Sequence, residues 1–353
     1  MAIHEAILYQ KLERGAVRCA VCPRRCRIEE GQRGFCQARE NRGGVLYALT
    51  YGMVSSLAVD PIEKKPLFHF HPGSRCLSLG SLGCNLRCLH CQNWSISQAD
   101  PLHSGRLQEL SPQDCLRTAI KEGADGIAWT YNEPTIWLEY TLDCARLAKS
   151  AGLYTVSVTN GYITPEALAT LAPWLDAYRV DLKGWSREFW RQIPQVPDSQ
   201  PVFDAALLAR RQHGLHLEVV TNVIPGWNDD ETSLRGLAQW IARELGDDTP
   251  WHLTRFFPSY RLQETPPTAL SSLLRGERIG REEGLRYIYL GNNAGEGEDT
   301  LCPSCGATLI ERSGFSLLHC TLGQDHRCPR CGLVIPIVGA VQCPGRGKVC
   351  GNH

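Results

Sequence analysis

Between residues 76 and 290, short runs of β-branched and aromatic residues alternate with stretches whose apolar positions recur every three to four residues. The short runs fall at Cys76–Gly80, Gly126–Thr130, Tyr154–Thr159, Ala177–Leu182, Leu215–Val223, Trp251–Phe256 and Arg286–Leu290. They read as strands. Between them Ser111–Glu122, Thr135–Ala151, Pro201–His213, Asp229–Leu245 and Thr268–Glu283 read as helices. Two helix starts are well marked: Ser111-Pro112 and Thr164-Pro165 each set an N-cap before proline at the first helical position. Such alternation predicts a parallel sheet covered by helices, either a full or partial barrel or an open doubly wound sheet. In both, reactive groups gather at the C-terminal ends of the strands.

The flanks break this pattern. Residues 19–36, "CAVCPRRCRIEEGQRGFC", are dense in cysteine, and from about residue 300 two C-x2-C knuckles appear with little apolar sequence between them. The expected division is a Cys-rich N-terminal segment (1–70), a central domain (71–298) and a Cys-rich C-terminal module (299–353). The N-terminus carries charges throughout, unlike a signal peptide. The longest strongly apolar stretch, Gly332 to Val341, is too short to span a bilayer. A cytoplasmic protein is expected. Lys plus Arg equals Asp plus Glu at 37 each, so no net field draws the chain to nucleic acid or to membrane. In a reducing compartment, 17 cysteines at close spacing favour metal sites over disulfides. Cys76, Cys115 and Cys144 lie outside the clusters and read as buried thiols, and Cys343 and Cys350 as terminal thiols.

The sharpest motif is "SLGCNLRCLHCQNWS", with Cys84, Cys88 and Cys91 in C-x3-C-x2-C directly after the first strand. Cubane clusters held by protein alone take four thiolates. Three leave one iron open for a ligand that is not protein, as catalytic metal sites require. The competing reading is zinc bound by these three with His90 or a distant residue. At the later strand ends stand "TYNEPT" with Asn132 and Glu133, "VTNGY" with Asn160, "VDLKGW" with Asp181 and Lys183, and "WHLTRFFP" with His252. Asp181 and Lys183 are two apart and share a face of their strand. Buried, they must pair with each other or with a ligand.

With these motifs in this order the chain resembles the radical S-adenosylmethionine (radical SAM) superfamily. The resemblance implies a partial (β/α)6 TIM-type barrel, and a [4Fe–4S] cluster on Cys84, Cys88 and Cys91. It also implies S-adenosylmethionine bound at the open iron and cleaved reductively to a 5′-deoxyadenosyl radical. Glu133 and Asn132 resemble the segment that receives the methionine amino group, and Asp181 and Lys183 the pair that meets its carboxylate. His252 resembles a ribose contact, "TNVIPGWND" the adenine-contacting segment, and Asn160 stands among the cofactor-binding candidates. Longer strings, "DPIEKKPLFHFHPGS", "GCNLRCLHCQN", "YNEPTI", "TNGYI", "VDLKG" and "PPTAL", resemble the radical enzyme of the AmmeMemoRadiSam system, a relative of pyruvate formate-lyase activating enzymes. That narrower resemblance implies Memo-like and AMMECR-type partners, and an electron donor such as flavodoxin or ferredoxin.

Two further cysteine sets have metal-ligand spacing. Cys302, Cys305, Cys328 and Cys331 form a zinc-ribbon or rubredoxin-like pattern for zinc or iron, with His319 and Cys320 as alternative ligands. Cys19, Cys22, Cys26 and Cys36 suit zinc or a second cluster. The C-terminal module reads as structural and separable from the chemistry. Beside the radical enzyme, acting on an unidentified protein or small molecule, stand three alternatives. They are a glycyl-radical activating enzyme, a zinc-rich binding module without catalysis, and a redox protein that only passes electrons.

Overall fold

The computed structural model describes residues 4–101, 107–293 and 297–343. Its centre is one eight-stranded sheet. The strands are β1 (Ser56–Pro61), β2 (Arg75–Gly80), β3 (Gly126–Trp129), β4 (Tyr154–Thr159), β5 (Ala177–Asp181), β6 (His216–Val223), β7 (Trp251–Arg255) and β8 (Ile288–Gly291). They lie side by side in chain order. β2 to β8 are parallel, and β1 pairs antiparallel with β2. The fold is α/β, a partial barrel, as the alternation required. All seven expected strands form, within two residues at their ends. β1 adds an eighth from sequence before residue 71, so the sheet takes in part of the expected N-terminal segment.

The covering helices are α1 (Pro112–Lys121), α2 (Leu138–Ser150), α3 (Pro165–Leu171), α4 (Arg187–Gln192), α5 (Gln200–Leu207), α6 (Glu231–Trp240) and α7 (Leu270–Glu282). The marked caps operate: Ser111 accepts from Asp114 N at 3.1 Å, and Thr164 from Ala167 N at 3.3 Å. A 3-10 turn at Pro134–Trp137 precedes α2, because Pro134 follows Glu133 at the strand end. Cys115 and Cys144 are buried free thiols between these helices and the sheet.

Both flanks are fastened to the barrel by buried charge. Arg39 meets Glu139 of α2 through two hydrogen bonds, at 2.9 and 2.7 Å, with both side chains about 2% exposed. At the other end β9 (Thr300–Leu301), β10 (Thr308–Ser313) and β11 (Ser316–Cys320) form an antiparallel sheet. Arg312 of β10 is buried and donates to Phe68 O at 2.9 Å, Thr300 Oγ1 at 2.7 Å and Glu298 O at 3.1 Å. Its Nε lies 3.9 Å from buried Glu63. A charged side chain of the ribbon is thus part of the barrel's own packing, which bears on the expectation of a separable module. Cys343 is disulfide-bonded, not a free thiol. Cys350 lies outside the described residues.

Candidate active site

The C-terminal ends of the strands surround a cavity of about 480 Å³. Cys84, Cys88, Cys91 and His90 line it, together with Glu133 and Lys183. The cysteine loop follows β2 and is held by Asn132, which accepts from Ser81 N at 2.9 Å and donates to Gly83 O at 2.9 Å. Gly83 is required by packing as well as by its positive φ of 88°. A Cβ there would come within 2.4 Å of Cys36 O. Asn160 donates to Cys84 Sγ at 3.7 Å and to Asn85 Oδ1 at 2.9 Å. Asn132 and Asn160 thus also position the loop that carries the thiols.

Burial pushes the Cys84 thiol well above its ordinary value and the Cys88 thiol up to about 12. Metal binding at these residues releases protons, since only the thiolate ligates. His90 is driven down to about 3 by burial and by Lys183. It is neutral, and its Nδ1 has no hydrogen-bond partner. A single zinc ion needs closely gathered ligands. Among the described residues the one such gathering of Cys, His, Asp or Glu, with ligand atoms within 4.8 Å of one another, is Cys302, Cys305, Cys328 and Cys331. Cys84, Cys88 and Cys91 share a cavity without forming such a gathering, and three thiols around a common cavity fit a cluster with one open iron.

Three charges share one strand face. Asp181 accepts from Lys183 Nζ at 2.5 Å and pairs with Arg179. Burial works against ionisation of Asp181, yet Arg179 and Lys183 hold its carboxyl below the usual range. Burial likewise opposes the Lys183 charge, but Asp181 and Cys88 raise it. The trio carries a net positive charge toward the cavity, which suits an anionic ligand group. Arg179 escaped the sequence reading, although "RVDLK" continues the same alternation one step back.

Glu133 lines the cavity but is only 1% exposed. Its carboxylate accepts from Thr135 N at 2.9 Å, Thr159 Oγ1 at 2.7 Å and Asn160 N at 2.8 Å. A carboxylate offers about four acceptor positions, so Glu133 joins the ends of β3 and β4 and keeps little capacity for a ligand. Burial raises its pKa. His252 also lines the cavity, but its Nε2 is taken up by Glu218 Oε2 at 2.6 Å, with its ring between Phe68 and Tyr289. Glu218, another residue that sequence reasoning missed, also meets His216 at 2.9 Å and accepts from the backbone of Phe68 at 2.9 Å and His69 at 2.7 Å. These contacts seat the "KPLFHFH" segment under the cavity.

In the C-terminal set, Cys302 and Cys331 stand 3.5 Å apart and Cys305 and Cys328 3.6 Å. Gly306 and Gly332 take the positive φ that closes each knuckle. His319 and Cys320 are not in this group. The donor set can bind one metal ion.

Residues 79–235 match the family model for the radical SAM superfamily. The uncharacterized protein MJ0808 of Methanocaldococcus jannaschii is 44% identical, over 95% of this chain and all of that protein. The pyruvate formate-lyase 1-activating enzyme of Escherichia coli K12 is 25% identical over 50% of this chain and 71% of its own. A crystal structure of a radical SAM methyltransferase from Sphaerobacter thermophilus is 15% identical over 64% of this chain and 68% of that one, with a TM-score of 0.48.

Proposed function

The chain belongs to the radical SAM superfamily of enzymes, related to pyruvate formate-lyase activating enzymes, and we propose that its reaction is carried by the cavity at Cys84, Cys88 and Cys91. One observation carries this reading. Two buried thiols, Cys84 and Cys88, the half-buried Cys91 and a net-positive Arg179–Asp181–Lys183 trio line the same cavity at the strand ends. The family implies a [4Fe–4S] cluster and S-adenosylmethionine, and together these supply an electron and a 5′-deoxyadenosyl radical that takes hydrogen from a substrate. Cys84, Cys88 and Cys91 hold the cluster. Lys183 and Arg179 orient the methionine carboxylate, while Asp181 keeps both cations fixed. Asn132, Asn160 and Glu133 set the cysteine loop and the β4 end in register. His252 fixes the cavity floor through Glu218.

Within the superfamily, the ordered strings from "DPIEKKPLFHFHPGS" to "PPTAL" favour the AmmeMemoRadiSam radical enzyme. Its expected partners are Memo-like and AMMECR-type proteins, with a flavodoxin or ferredoxin as donor. The first of these strings runs from the end of β1 to the residue before β2 and is seated on Glu218. Glycyl-radical activation is the second reading, supported by the 25% identity to the pyruvate formate-lyase activator. Deuterium transfer separates them: incubation with candidate partner proteins, each deuterated in turn, identifies the hydrogen donor by label in 5′-deoxyadenosine. Label from a glycine Cα supports the second reading, and label from any other carbon removes it.

A further inference from the structure

The N-terminal cysteines and the C-terminal cysteines are both sets of four, but their spacing differs. Tetrahedral zinc, with Zn–S bonds of roughly 2.3 Å, brings sulfurs to about 3.8 Å of one another. The C-terminal set meets this, with pairs at 3.5 and 3.6 Å and every ligand atom within 4.8 Å of the others. Cys19, Cys22, Cys26 and Cys36 do not form such a gathering, which among the described residues occurs at the C-terminal set alone. They nonetheless line one small cavity together. Cys84, Cys88 and Cys91 likewise share a cavity without forming such a gathering. A cubane places iron and sulfide between its thiolates and so holds them farther apart than one ion does.

We propose that Cys19, Cys22, Cys26 and Cys36 hold a second [4Fe–4S] cluster, ligated by thiolate at all four irons. With no open iron, it has no position for a substrate. Its surroundings suit a negatively charged cluster: Arg39 lines the same cavity and interacts electrostatically with Cys19 and Cys36. Glu139 keeps that guanidinium in place. Cys19, Cys22 and Cys36 are buried and Cys26 is half-buried, so one edge faces outward. The opposite side abuts the active-site loop. Cys36 O packs against Gly83, the residue before Cys84, and Arg87 donates to both Phe35 O at 2.5 Å and Cys84 O at 2.8 Å. A redox-active cubane at this position can exchange single electrons with the active site, which zinc cannot.

The inference uses the radical SAM reading only for the comparison with Cys84, Cys88 and Cys91, and its test is independent of that site. The full-length Cys84→Ala/Cys88→Ala/Cys91→Ala variant is purified anaerobically and reconstituted with ferrous iron and sulfide. The expected result is about four irons per chain, and a reduced-state EPR signal that S-adenosylmethionine does not alter. Loss of all iron, retention of about two irons, or two bound zinc ions overturns the proposal. Wild-type protein gives a second measurement should the variant misfold: about eight irons and at most one zinc support the proposal, about four irons and two zincs contradict it. Wild-type protein that makes no 5′-deoxyadenosine beside a variant that keeps four irons would sink the reading of the Cys84 site and leave this one standing.

Discussion

The two ends of the barrel interior use the same residue types to opposite effect. At the floor, Glu218 has its acceptor positions filled by two histidines and two backbone N–H groups. Glu218 itself keeps nothing for a ligand. At the cavity end, Asp181 ties down two cations, and the group keeps a net positive charge. The Arg179 Nε and the His90 Nδ1 are buried without partners. Buried polar groups without partners are costly, and the residues carrying these two line the same cavity as the thiols. The floor is built for stability, and the cavity end holds back binding capacity.

The comparison can be broken first at the floor. Glu218→Ala leaves two buried histidines and two backbone donors without their acceptor, and should lower unfolding free energy by about 3–5 kcal/mol. Denaturant titration measures it. Burial opposes ionisation of Glu218, but His216 and His252 hold its carboxyl well below the usual range. Unfolding therefore takes up a proton, so the stabilisation is present at neutral pH and is lost as pH falls below the ordinary glutamate value of about 4.3. The acid limb of the stability curve should be shallower in the variant.

Next in size is Arg312→Met, which removes three hydrogen bonds and leaves Glu63 buried without its cation. A loss of about 3 kcal/mol is expected, and removing the whole ribbon should leave insoluble protein. A soluble, cluster-loaded truncation ending at residue 299 would show the ribbon to be separable after all.

At the cavity end the effect should fall on ligand binding and spare the fold. Lys183→Met should weaken S-adenosylmethionine binding by about 1.5–3 kcal/mol in equilibrium dialysis, the range for hydrogen bonds to charged groups, with Tm nearly unchanged. A large Tm loss with unchanged affinity would place Lys183 with the floor residues. The smallest change is Glu133→Gln. One amide N–H₂ would face a donor among Thr135, Thr159 and Asn160, at about 1 kcal/mol of stability by thermal unfolding.

The sequence pattern made the seven parallel strands legible because each is a short β-rich run between helical stretches, and Tyr154–Thr159 matches to the residue. The three active-site cysteines stood out because their spacing is local. Glu218 and Arg312 did not. Each has partners nearer in the chain, His216 for Glu218 and Thr300 for Arg312, but the contacts that tie them to the Phe68 segment span 149 or more residues, to Phe68 and His69 from Glu218 and to Phe68 from Arg312. No local spacing encodes such pairs. β1 was missed because Ser56–Pro61 carries an exposed Leu57 and ends on a proline, as edge strands do. Glu133 was legible as a strand-end carboxylate, but how fully its oxygens are used depends on β4, which only the fold brings beside it.

The central claim is that Cys84, Cys88 and Cys91 hold a cluster able to cleave S-adenosylmethionine. The direct measurement is anaerobic incubation of the iron-loaded wild-type protein with dithionite and S-adenosylmethionine, scored for 5′-deoxyadenosine and methionine, beside the single variants Cys84→Ala, Cys88→Ala and Cys91→Ala. The account predicts both products from wild type and none from any of the three variants. Wild-type protein with a full iron complement that makes no 5′-deoxyadenosine, or a Cys88→Ala variant that makes as much as wild type, would contradict it.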